Sequence, residues 1–143
     1  MRYIASCGKP PPDLDFITDS LAVGGELRSD RQIRALPGLG ITAVVDMRSE
    51  SLDNVAELER LGIHFLHLPT QDWHPSTQED LETGSNWVLH EIEIARDGKV
   101  LIHCQHGMGR SVILAGAVLL KMGYDWREAL RLIKSKRLGV GPL

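Results

Sequence analysis

The chain has 143 residues, 43% of them hydrophobic and 24% charged, with a formal net charge of −3. That length suits one domain with a substantial core, and the composition is that of an ordinary globular protein. No block of basic residues is present to track a polyanion, so no nucleic acid is expected as a partner. No membrane association is expected either: the longest apolar run, Val112 to Leu120, falls well short of the ~20 residues that a span needs. Met1 to Pro12 lacks the hydrophobic segment of a signal peptide. The expectation is a soluble, cytoplasmic protein.

In chain order, Gly8 to Pro12 reads as a stiff, extended arm. Phe16-Ile17 and Leu21-Ala22-Val23 look like short strands of a hairpin at a sheet edge. Residues 29–37 suit a short helix begun by Ser29 and closed around Pro37-Gly38. Thr42 to Met47 is β-branched and mostly apolar, as in a strand buried on both faces. Residues 51–61 carry Val55, Leu58 and Leu61 at helical spacing, with Gly62 as the stop. His64 to Leu68 is the next strand, and the polar residues 69–76 form a loop. Ser76-Thr77-Gln78-Glu79 reads as a capping box opening a helix that ends near Gly98, with Leu81, Ser85, Val88, Ile92 and Ala95 on its buried face. Lys99 to His103 is the last strand and 110–122 a helix stopped by Gly123. Asp125 and Glu128 frame a second capping box, opening a helix over 126–136. Leu138 to Leu143 stop abruptly, as if cut from something longer.

Strand alternating with helix implies an α/β fold: a single domain, 1–143, with a central, mainly parallel sheet of four to five strands covered by helices on both faces. Ligands of such sheets bind beyond the carboxyl ends of the strands. Asp46 to Glu50, Thr70 to Thr77 and the turn after His103 all leave strands at that end, so they are expected to converge.

The turn is where the chemistry concentrates. His103-Cys104-Gln105-His106-Gly107-Met108-Gly109-Arg110-Ser111 joins an apolar strand to a helix. The amides of Gln105, His106, Gly107, Met108, Gly109 and Arg110 can curl around one oxyanion, and the two glycines allow φ > 0 where the curl needs it. The start of the following helix adds aligned N–H groups and a positive dipole end. Arg110 adds a planar fork that binds two phosphate oxygens together. So positive a setting favours a Cys104 thiolate, placed beneath the anion for in-line attack on phosphorus. The Ser111 hydroxyl can hydrogen-bond that sulfur. A leaving alkoxide or phenoxide also needs an acid, and Asp72 is the acid of the loop that should face Cys104. His74 is a weaker candidate, while Glu79 and Asp80 belong to the first helical turn and suit capping.

The run HCQHGMGRS has the pattern HCxxGxxRS, and the chain resembles the cysteine-dependent protein tyrosine phosphatases, in particular the small dual-specificity (atypical) phosphatases. The resemblance runs from about Phe16 onward, through ITDSLAVGG and TAVVDMRSE. It implies a phosphocysteine intermediate on Cys104, phosphate held by Arg110, breakdown aided by Ser111, and no metal or cofactor. Family members carry the general acid some thirty residues before the cysteine; Asp72 occupies that place and would act first as acid, then as base towards water. The implied partners are a phosphorylated protein and, in the loop, inorganic phosphate or a similar oxyanion. The chain is much shorter than the phosphotyrosine-only catalytic domains and has no tyrosine-bearing recognition loop like theirs, Tyr3 and Tyr124 being the only tyrosines. A shallow pocket is therefore expected, open to phosphoserine and phosphothreonine as well as phosphotyrosine. Gln105, His106 and Met108 bring no fixed cation, which weakens a phosphoinositide reading; an RNA 5′ phosphate is a further non-protein alternative. Outside phosphoester hydrolysis, the alternatives are a binding module without turnover and a sulfur-transfer or arsenate-reducing enzyme. Neither uses the whole set of Cys104, Arg110, Ser111 and Asp72.

Other residues invite plainer readings. His103 is expected to orient the loop or tune the thiolate rather than touch substrate. Asp46 and Arg48 suit a structural ion pair. His64 and His67, three apart on a strand, face opposite ways and make no metal site. Trp73 either flanks the substrate or hinges its loop. Arg127, Arg131, Lys134, Lys136 and Arg137 read as a solvated helix face, with docking of an acidic partner as the alternative. Cys7 reads as a small buried hydrophobe or, alternatively, as a disulfide partner for an oxidised Cys104.

Overall fold

A computed structural model describes residues 10–141; Tyr3, Cys7 and the start of the arm lie outside them. Three central strands, β2 (Leu21–Gly24), β3 (Ile41–Arg48) and β5 (Lys99–His103), are built from small or β-branched apolar residues buried throughout most of their length. With β1 (Leu14–Phe16) and β4 (His64–Thr70) they form one sheet in the order β1-β2-β5-β3-β4. Only the hairpin pair β1–β2 is antiparallel; the other three pairings are parallel. Parallel strands need crossover helices, which cover both faces. Successive side chains point to opposite faces, so Val23, Val45 and Ile102 pack under α3 (Gln78–Ile94), α4 (Arg110–Lys121) and α5 (Trp126–Lys136). Ala22, Val44 and Leu101 pack under α1 (Asp30–Ala35) and α2 (Val55–Arg60).

The expected elements are all present, with boundaries moved where local chemistry was ambiguous. Strand β4 runs through Pro69 to Thr70. Proline is tolerated there because β4 is an edge strand, with no neighbour among the described residues on its outer side to demand an N–H. Ser76 does not cap α3. Thr77 does, its hydroxyl accepting from Asp80 N at 3.0 Å. The two overlapping windows each place a hydroxyl three residues before an acid, so local sequence does not choose between them. Helix α3 ends at Ile94 rather than near Gly98: Asp97 takes φ 55°, and Gly98 N donates to Ala95 O, closing a turn into β5. Helix α2 begins only at Val55, capped by Asn54, leaving 49–54 as a loop at the carboxyl edge of the sheet. The Ser29 cap of α1 and the Asp125–Glu128 capping box of α5 stand as expected.

One expectation reverses. Arg127, Arg131, Lys134 and Lys136 are exposed, but Arg137 is 4% exposed and does not belong to a solvated face. It is the C-cap of α5, in extended conformation, with its guanidinium turned inward. The physical reason is its spacing: Ala129 and Ile133 are the buried residues of α5, and Arg137 continues that stripe at i+4.

Candidate active site

Strand β5 delivers Cys104 to the carboxyl edge of the sheet, between β2 and β3. Cys104 N donates to Gly24 O at 3.2 Å, continuing the β2–β5 pairing, and the chain then curls into α4. Gly107 has φ 72°, the left-handed conformation that glycine adopts without penalty. A Cβ there would stand 2.6 Å from Gly24 O, so a side chain is excluded on steric grounds too. Gly109, expected to share the φ > 0 requirement, has φ −131° as the N-cap of α4. Only Gly107 carries that conformational demand.

The Cys104 sulfur is buried, with Ser111 Oγ at 3.2 Å and Gly107 N–H donating to it at 3.3 Å. Burial pushes the thiol pKa up. Hydrogen bonds from the Ser111 hydroxyl and from the amides of Ser111, Gly107 and Gly109 outweigh it, so the net shift is downward, towards the thiolate.

Arg110 opens α4 and turns its guanidinium back over the loop. Glu50 grips it end-on, with Nη1–Oε1 at 2.8 Å and Nη2–Oε2 at 2.9 Å, while Thr70 O accepts from Nη1 at 2.8 Å. Bonding to Arg110 holds the Glu50 carboxyl at about 2, and the same pairing raises Arg110. Nε is left buried and without a hydrogen-bond partner, unlike every other buried side-chain polar atom among the described residues. Asp72 Oδ1 stands 3.6 Å from it.

Asp72 therefore reaches the Cys104 loop. It lines a cleft of about 510 Å³ with Trp73, His74, Cys104, Met108 and Arg110. Gln105, His106 and Gly109 line the same cleft, whereas Gly107, of the same expected set, does not. Trp73 is 94% exposed and adopts φ 63°, and the Asp72 carboxylate accepts from its amide at 3.1 Å.

Behind the loop lies a buried polar cluster. Arg48 donates to Asp46 twice, at 3.0 and 2.9 Å, and to Asp53 at 3.0 Å. His103 Nε2 lies 2.5 Å from Asp53 Oδ2. Burial pushes the Asp46 carboxyl up, but the bonds from Arg48 and the nearby His103 bring it below its usual range. Asp46, Asp53 and His103 come close enough together to resemble a metal ligand set. The Arg48 cation, however, already bridges the two carboxylates. His103 thus faces away from the cleft, into the scaffold. His64 and His67 part company, reaching Glu91 and Arg48 O respectively.

Glu50, Asp53 and Arg137 were not singled out as site residues by their sequence context. A signal existed for two of them. Arg110 needs a carboxylate partner, and Glu50 is the acid just beyond the carboxyl end of β3; Arg137 extends the buried stripe of α5. Asp53 has no such marker.

A mostly parallel sheet, with a buried thiol at its carboxyl edge and a clamped guanidinium at the start of the next helix, defines an α/β protein with a cysteine-centred cleft. The model of the dual specificity phosphatase catalytic domain matches residues 27–142. Protein tyrosine phosphatase type IVA 2 of Mus musculus is 28% identical over 100 residues, covering 70% of this chain and 59% of that protein. Dual specificity protein phosphatase 5 of Homo sapiens is 26% identical over 153 residues, covering 97% of this chain and 38% of that protein. The chain thus spans less than two thirds of the length of these relatives. Among solved structures, Tk-PTP in the active form superimposes with a TM-score of 0.81 at 29% identity, over 92% of this chain and 89% of that one. The chain belongs to the dual specificity phosphatase catalytic-domain family.

Proposed function

We propose that the protein hydrolyses phosphomonoesters of phosphorylated proteins through a phosphocysteine intermediate. The observation that carries this is the Cys104 sulfur, held between Ser111 Oγ and Gly107 N–H beneath a guanidinium whose buried Nε has no partner. An arriving phosphate takes that Nε–H and the inward amides, displacing the Asp72 carboxyl from Arg110 towards the ester oxygen. The Cys104 thiolate then forms an S–P bond as the P–O ester bond breaks, and Asp72 gives its proton to the leaving oxygen. In the second step water attacks phosphorus and its proton passes to Asp72. The S–P bond breaks, and the released thiolate is stabilised by Ser111. His103 acts through the loop, held by Asp53. The whole described chain serves as one catalytic domain.

The walls of the cleft favour an aryl phosphate. Trp73, Pro75, Met108 and Ile113 offer apolar surface, and the side chains at 105, 106 and 108 bring no lysine or arginine. Phosphotyrosine fits that lining, and an open rim leaves phosphoserine and phosphothreonine within reach.

The test is hydrolysis of p-nitrophenyl phosphate by the wild type and by Cys104→Ser. The wild type is expected to turn over, with a loss of about 10⁴-fold or more in the variant while phosphate still binds. Activity surviving in Cys104→Ser would sink the mechanism. A wild type that binds phosphate without hydrolysing the ester would make the protein a binding module.

A further inference from the structure

An amide that faces an anion has a carbonyl on the same peptide plane facing the opposite way. A loop that turns its N–H groups inward must therefore find donors for a row of outward carbonyls, since buried ones left bare are costly. In this loop the donors are few and identifiable. Gln105 O accepts from Glu26 N at 2.9 Å. His106 O and Gly107 O both accept from Arg137, from Nη2 at 2.9 Å and from Nε at 2.7 Å. The peptide that presents His106 O to Arg137 is the one whose other end, Gly107 N–H, points at the Cys104 sulfur at 3.3 Å. The next peptide presents Gly107 O to Arg137, and planarity turns the Met108 N–H the other way.

Arg137 is itself fixed from behind. Its Nη1 reaches Asp15 Oδ2 at 3.0 Å and Asp13 Oδ1 at 3.1 Å, and its Nη2 reaches Asp13 Oδ2 at 3.0 Å. Its remaining contact is Val23 O at 3.4 Å. Asp13 precedes β1 and Asp15 lies within it, so one guanidinium ties the edge hairpin, the end of α5 and the back of the Cys104 loop together. A Cβ at Gly107 would collide with Arg137 Nη2 as well as with Gly24, so the strut in this position requires the glycine.

We propose that Arg137 is a positioning residue: it holds the 106–107 and 107–108 peptide planes so that the loop is already shaped for an oxyanion and for the thiolate. It touches neither substrate nor sulfur and acts through the backbone. The inference rests on the loop being a phosphate site, as argued above. A lysine cannot reproduce it, because one ammonium cannot serve two carbonyls and two carboxylates in the fixed geometry of a fork.

The experiment uses Arg137→Lys and Arg137→Met, with folding checked by circular dichroism. Inhibition by inorganic phosphate and the pH dependence of Cys104 alkylation, followed by peptide mass, are then measured. The expected result is a phosphate Ki raised about 10-fold in folded variants, with the alkylation midpoint moved up by about half a pH unit. A purely structural arginine would lower Tm and leave both readouts unchanged, and that result overturns the proposal. If both variants fail to fold, Asp13→Asn combined with Asp15→Asn loosens the strut from its exposed side. There a Ki raised about 3-fold supports the proposal, and an unchanged Ki overturns it. A wild type that binds no phosphate would remove the functional reading and this inference with it. A wild type and variants that bind phosphate equally would remove this inference alone.

Discussion

Loop 104–109 is tied on every side, whereas loop 71–76, across the cleft, is tied mainly to itself. The first is anchored by Gly24 O, by Glu26 N and by Arg137, and Arg110, which follows it, is clamped by Glu50 and Thr70 O. The second carries Asp72 and the exposed Trp73. Its bonds are local: His74 N to Gln71 O, Trp73 N to the Asp72 carboxylate, and the His74 ring to Asp72 O. Its link to the rest of the site is the 3.6 Å approach of Asp72 to Arg110 Nε. A site that stabilises developing charge gains most when its donors are set before the substrate arrives, because no reorganisation is needed at the moment of reaction. A proton donor that must follow a leaving group gains from a segment free to shift. On the roles proposed above, the hydrogen bonding of the two halves of the cleft matches what each task asks for.

Substitutions that separate anion holding from proton transfer test that contrast. The largest effect in it is expected from Arg110→Lys, which keeps the charge and loses the fork. The expectation is a fall of about 10³-fold in kcat/KM, with phosphate inhibition weakened in parallel. A loss under tenfold would mean that the anchored half does not hold the anion. Next comes Asp72→Asn, which should lower kcat by about 10²-fold for esters with poor leaving groups and flatten the alkaline limb of the pH–rate profile. Phosphate inhibition should not weaken, since the carboxyl that phosphate displaces from Arg110 is neutralised. If it weakens as far as in Arg110→Lys, the division of labour between the loops fails.

The smallest effect belongs to Glu50→Gln, which loosens Arg110 without removing it; a rise in KM of about tenfold is expected, with kcat little changed. Its pH signature has a definite sign. The carboxyl is depressed from 4.5 to about 2, so its stabilising contribution is full above 4.5 and is lost as pH falls towards 2. The Tm difference between wild type and Glu50→Gln should therefore be flat near neutrality and close on acidification. It should also be modest, since the Glu50 side chain is 41% exposed and water screens the pair. A Tm difference that widens in acid would show that Glu50 does not act as the paired carboxylate of Arg110.

Much of this was open to reading from the residues alone. The periodicity of β3 and β5, the caps at Ser29 and Asp125 and the strand–turn–helix around Cys104 are local signals, each set by residues within a few positions of one another. They give the element order and the α/β class, and with them the edge of the sheet where Cys104 and Asp72 meet. What local signals could not decide is which of two adjacent hydroxyls caps α3, since both satisfy the same short-range rule. Nor could they decide which charged residues turn inward. Arg137 and Asp13 are separated by nearly the whole chain, and Arg110 and Glu50 by four elements of structure. Their pairing depends on strand order and on how α5 packs under the sheet. The amino-acid pattern by itself determined the fold class and singled out the candidate nucleophile with its loop, because those depend on backbone conformation over a few residues. Tertiary structure alone decided what braces the cradle from behind, because a buried guanidinium takes whatever carbonyls and carboxylates the folded chain brings within its reach.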